Sequence, residues 1–175
     1  MSVTIQMPLG RKGVISDERM LGQIACFQGV NLDDPNNPAL DIAMPIRAIL
    51  VVNDSGGTLA SGLGVTFKSG QVGKKIGALS GANLVCHGVV DPFLGAAVTV
   101  ADGEYFWLIL SGRIDVEVGA GDLTANAVVQ TLASGKFGTG TAGTNPIGHS
   151  GIAVEAGTSG GRALVAFNNP FAPIR

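Results

Sequence analysis

His87 and His149 are the only side chains of this 175-residue chain that titrate near neutrality and could relieve a nucleophile of its proton. Gly148-His149-Ser150-Gly151 places a serine next to one of them, but a nucleophile elbow G-x-S-x-G would need glycine where Ile152 stands. The preceding Asn145-Pro146 is a turn and not a strand that could feed such an elbow. His149 therefore reads as a turn residue bonded locally, and His87, in an apolar run after Cys86, as a satisfied half-buried histidine. Gly138 to Gly143 matches G-x-G-x-x-G by letter. The dinucleotide motif needs a helix to open there, and Thr144-Asn145-Pro146 prevents one. Gly73-Lys74-Lys75 lacks the Ser or Thr of a phosphate loop, and Lys68 occupies its upstream glycine position. The expectation is no catalytic residue, no cofactor and no enzyme activity.

Metal chemistry fares no better. Cys86 and His87 would have to recruit Cys26 from far along the chain, with no second C-x-x-C or H-x-x-x-H pair to complete a tetrahedral zinc site. Asp33, Asp34 and Asp41 with Asn36 and Asn37 offer the oxygen ligands of a Ca²⁺ loop, and equally those of a solvated turn. No metal is expected, and the two cysteines read as free, buried thiols.

The composition points to a partner-bound surface. Charged residues make up 14% of the chain, against roughly 25% in ordinary domains. A net charge of −2, with Lys68, Lys74 and Lys75 as the single basic cluster, gives no footprint for nucleic acid. No apolar run approaches the ~18 residues of a membrane-spanning helix, so no membrane partner is expected. Residues 1–13 lack the pattern of a secretory signal, so synthesis in the cytoplasm without export is expected.

The elements that would have to position any site are strands. The chain has 27 glycines, close to twice the usual share of ~7%, and glycine inside a regular element costs roughly 0.5–1 kcal/mol relative to alanine. Most must therefore lie in turns. Strands are predicted at 48–52, 63–67, 84–90, 96–100 and 104–110, with Ser111-Gly112 closing a hairpin onto 113–118. In that last strand Ile114, Val116 and Val118 alternate with Arg113, Asp115 and Glu117, one face buried and one wet. A final hairpin joins 151–156 to 162–167 through the loop 157–161. One short helix is a candidate over 17–27, where Asp17 could cap Met20, Leu21, Ile24 and Phe27 at helical spacing. The fold class is mainly β: a small antiparallel barrel or sandwich, residues 46–175, preceded by an N-terminal extended arm, residues 1–45.

That arm ends in turn-rich Asn31 to Pro38 and a further break at Pro45. Fully extended, it would reach on the order of 100 Å at ~3.3 Å per residue. The alternative is that it folds back on its own barrel as an edge strand and a loop.

Four segments resemble the small capsid cement, or decoration, proteins of tailed bacteriophages. They are Val85-Cys86-His87-Gly88-Val89-Val90, Gly103 to Gly112, the loop Gly119-Ala120-Gly121-Asp122-Leu123, and the closing hairpin from Pro146 to Val165. The resemblance spans residues 58–167, about two-thirds of the chain. It implies a structural virion protein on the outer surface of an icosahedral head, bound in many copies to the major capsid protein and bridging capsomers. It further implies a homo-oligomer, a trimer, and carries over no catalytic residue. Met7, Leu9, Met20, Leu21 and Phe27 are the candidate capsid contacts, with intrachain packing as their other possible role. The alternative function is a carbohydrate-binding or adhesive β-domain of a virion surface or tail, whose groove would want exposed aromatics. With one Trp and one Tyr, both in the same apolar strand, such a platform is hard to build.

Overall fold

The computed structural model describes residues 7–14, 18–30, 40–82, 84–140 and 149–168. Among them are thirteen strands: β1 (Lys12–Gly13), β2 (Ile24–Val30), β3 (Leu40–Asn53), β4 (Leu59–Ala60), β5 (Gly64–Phe67), β6 (Lys75–Leu79), β7 (Gly88–Val90), β8 (Thr99–Val100), β9 (Tyr105–Glu117), β10 (Val128–Thr131), β11 (Phe137–Thr139), β12 (His149–Ala153) and β13 (Arg162–Asn168). Helical structure among the described residues is confined to three 3-10 turns, at Glu18–Met20, Pro92–Leu94 and Ala133–Gly135. The mainly-β class is as the sequence indicates.

Five strands close on themselves. β9 pairs β3 along one edge and β7 along the other, β7 pairs β5, β5 pairs β6, and β6 returns to β3. All these pairings are antiparallel except β3 with β6. Ile49, Val51, Val65, Phe67, Ile76, Val90, Phe106, Leu108 and Leu110 fill the inside of this small barrel, with Leu59 and Val100 from the β4–β8 ribbon packed among them. Beyond Ser111, its last partner on β3, β9 leaves the barrel and continues along β13, and the sheet runs on through β12 and β10 to β11, which bridges back to Val118 just past β9. A second core fills the space between that extension and the outer face of the barrel, including Ala48, Leu50, Trp107, Ile109, Ile114, Val116, Phe137, Val165 and Phe167.

This double burial explains the uninterrupted apolar run from Tyr105 to Leu110. Phe106, Leu108 and Leu110 face the barrel core while Trp107 and Ile109 face the second core, so neither side of that half-strand is wet. After residue 112 only one face stays covered, and the alternation read from Ile114, Val116 and Val118 appears.

Several sequence expectations are corrected. Ser111-Gly112 closes no hairpin, because β9 runs straight through it. The step from Arg47 to Ala48 on β3 is matched by Ser111 to Ile109 on β9, a bulge that leaves one extra residue on β9. Even-numbered residues face the barrel before the bulge and the second core after it, as a one-residue insertion must produce in a period-two element. Gly112 sits there with φ 139°, and a Cβ at that point would lie 2.8 Å from Ile46 Cγ1. The helix expected over 17–27 is a single 3-10 turn followed by β2, because pairing with β3 satisfies the backbone that helical spacing would otherwise organise; Asp17 lies outside the described residues. Pro45 is no break either, since β3 runs through it. It lies between Ile46, opposite Phe27, and Asp41, opposite Gly29, where the pairing with β2 is irregular and a missing N–H is tolerated. The strand expected over 84–90 is limited to β7, and that over 96–100 to β8.

Candidate docking surface

The five residues proposed as capsid contacts lie against the body of the protein. Met20 is buried within the second core, and Met7, Leu9 and Phe27 pack against it. Trp107 organises this corner: its indole Nε1–H donates to the Met7 carbonyl at 2.7 Å, and its ring meets Phe27 edge-on at 5.4 Å. Leu21 stands apart with Val52 and Tyr105.

The segment 7–14 is fastened at further points. Gly10 N–H donates to Asp91 Oδ2 at 2.7 Å, Lys12 pairs with Glu104 at 2.6 Å, and β1 pairs β9. Asp91 also accepts from Phe93 N–H at 2.9 Å, and burial pushes its carboxyl up to about 6. β2, in turn, is laid along β3 from Ile24 opposite Ile49 to Val30 opposite Leu40.

His87 Nδ1 accepts from Phe67 N–H at 3.2 Å, its ring lies 5.1 Å from that of Phe67, and burial lowers its pKa. Cys86 is buried and its thiol pushed up to about 12 by desolvation, far from the thiolate a nucleophile needs. Cys26, expected to be buried, is exposed on β2. His149 is the first residue of β12 and not a turn residue, with buried Ser150 following it in the same strand. The outer half of the Gly138 to Gly143 match lies outside the described residues, and its start is β11. Asp54 lies 2.9 Å from Lys68 and 3.7 Å from Lys75, so two of the three clustered lysines are paired, and the hydrogen bond from Lys68, more than any other neighbour, holds the Asp54 carboxyl below its ordinary value. Asp33, Asp34, Asn36 and Asn37 lie outside the described residues, and no group of three potential metal ligands exists among those described. Trp107 and Tyr105 are both buried, so neither offers a sugar a stacking face.

What the surface does expose is aliphatic. Val72 is 61% and Ile24 43% accessible, and with Leu21, Gly22, Ile49, Gly73 and Lys74 they line a notch of about 380 Å³. The notch arises because β2 and β6 share one edge of β3: Gly22 N–H bonds to Leu50 O at 2.8 Å and Val52 N–H to Lys74 O at 3.0 Å, and the two neighbours part between those points. A second aliphatic pair, Val128 and Ile152, lies in register on β10 and β12. The sequence carried a faint sign of the first site, an isolated valine in the turn Gly70-Gln71-Val72-Gly73. No helix among the described residues is long and apolar enough to cross a membrane.

The architecture is similar to that of a solved structure, the head fiber gp8.5 N base of bacteriophage phi29, with a TM-score of 0.52 and 14% identity over 74% of this chain and 98% of that chain. At that identity the likeness is one of fold. No family model and no curated protein matches the sequence.

Proposed function

We propose that this protein is a non-enzymatic structural component of a tailed-phage head, a decoration protein that docks on the outer capsid surface, binds the major capsid protein and stabilises the shell by bridging capsomers. The observation that carries the reading is the fold shared with almost the whole of the phi29 head fiber base. The low charge and the accessible aliphatic side chains Val72 and Ile24 are consistent with a surface that meets another protein. A protein that binds only the assembled shell adds its binding free energy to the intact state, copy by copy. Assembly as a homotrimer would add avidity without new kinds of contact.

The test is the solution mass of the purified protein and its co-sedimentation with undecorated heads from the same source. Trimers that saturate the heads at a fixed copy number and raise their melting temperature support the proposal. Monomers that stay in the supernatant overturn it, and a glycan screen of the same sample then addresses the adhesive alternative.

A further inference from the structure

We propose that the notch between Gly22 and Gly73 is the capsid-docking site, taking an extended segment of the shell protein that carries an aliphatic side chain beside a carboxylate. The inference rests on the decoration reading above. Three independent features of the notch define this occupant. Its walls are aliphatic: accessible Ile24 and Val72 line it together with buried Leu21 and Ile49, and its size falls within the ~300–1,000 Å³ of ordinary binding clefts. Gly22 is part of its shape, since a Cβ there would lie 3.3 Å from Gly73 O and narrow the opening.

The second feature is charge. Lys68 and Lys75 share Asp54, whereas Lys74, between them on the rim of the notch, has no ion pair among the described residues. An uncompensated ammonium beside an apolar slot selects a carboxylate next to an aliphatic side chain, and disfavours a basic partner.

The third feature is the strand that forms one wall. β2 ends the sheet, so its outer edge is unpaired among the described strands. An extended segment can add to such an edge through its own backbone, with its side chains reaching neighbouring recesses. Ile24, at the start of β2, places the notch at the end of that edge.

The experiment compares wild type, Val72→Asp, Lys74→Glu and Lys74→Arg in co-sedimentation with undecorated heads, with Ile152→Asp as a control at the far side of the sheet. Val72, Lys74 and Ile152 are exposed, so each variant should melt as wild type does. Val72→Asp and Lys74→Glu are expected to weaken half-saturation by roughly tenfold or more, and Lys74→Arg and Ile152→Asp by less than about twofold. Wild-type binding that both Val72→Asp and Lys74→Glu retain overturns the notch and leaves the decoration reading standing. Equal loss in Lys74→Arg and Lys74→Glu also overturns it, because the claim is about charge. If wild type itself ignores the heads, the decoration reading fails and the notch assignment fails with it.

Discussion

The two halves of β9 are one strand in two environments. From Tyr105 to Leu110 it is a stave of the closed barrel with a core on each side. From Arg113 to Glu117 it belongs to the sheet extension, with Ile114 and Val116 covered and Arg113, Asp115 and Glu117 on the other face at intermediate exposure. The bulge at residues 109–111 converts one into the other. Closure fixes every strand of the barrel against two continuous neighbours, whereas the extension returns from β11 to the segment after β9 through a single bridge, Val118 to Phe137, and leaves aliphatic residues accessible on β10 and β12.

The contrast is open to four measurements. Phe106→Ala removes a fully buried ring from the barrel, and urea unfolding should show a loss of about 3–5 kcal/mol. A loss below ~1 kcal/mol would mean the barrel interior is not tightly packed. Gly112→Val strikes the junction itself, combining a φ of 139° with a Cβ 2.8 Å from Ile46. It should cost about 2–3 kcal/mol, and thermal melting indistinguishable from wild type would dispose of the bulge as a constraint.

Asp91 fastens the segment 7–14 to the barrel, and its linkage has a definite sign. With its folded pKa raised by burial to about 6 from 3.8, it binds a proton more tightly folded than unfolded. Its stabilising contribution is complete below about pH 3.8 and lost as pH rises through about 6. Other groups pull the opposite way, since His87 is lowered by burial and Glu104 chiefly by Lys12. The informative quantity is therefore the difference between wild type and Asp91→Asn. That difference should shift toward wild type by on the order of 1–2 kcal/mol between pH 7 and pH 4; a pH-independent difference counts against the buried carboxylate. Ile152→Ser, at an exposed position of the extension, should change stability by less than about 0.5 kcal/mol, and a larger loss would show that β12 is covered by something beyond the described residues.

Much of the strand pattern was legible because burial leaves a period in the sequence. Ile114, Val116 and Val118 revealed a one-sided strand, and Arg162 to Phe167 a returning one, almost to its observed ends. β6, β10 and β11 were missed: Lys75-Ile76-Gly77-Ala78-Leu79 mixes a lysine and a glycine into a short strand, and β10 and β11 are only four and three residues long. Local pattern is weak over such lengths. The supposed hairpin at Ser111-Gly112 failed for a different reason. A Gly that permits a turn also permits a bulge, and only the neighbouring Ile46 on β3 decides between them. The notch was still less visible, being made of segments around residues 21–24, 49 and 72–74 that meet only in the fold.

By itself the sequence determined that this is a β protein rich in turns, sparing in charge and without a nucleophile-and-base pattern, because composition and periodicity are local properties of the chain. It also placed Trp107 and Tyr105 together in an apolar strand, which told against a stacking platform. The tertiary structure decided which strands close into a barrel, where residues 7–14 and 18–30 pack, and which aliphatic side chains remain accessible. Those outcomes depend on pairings between residues as far apart as Lys12 and Phe106, and no local pattern in either segment specifies its partner.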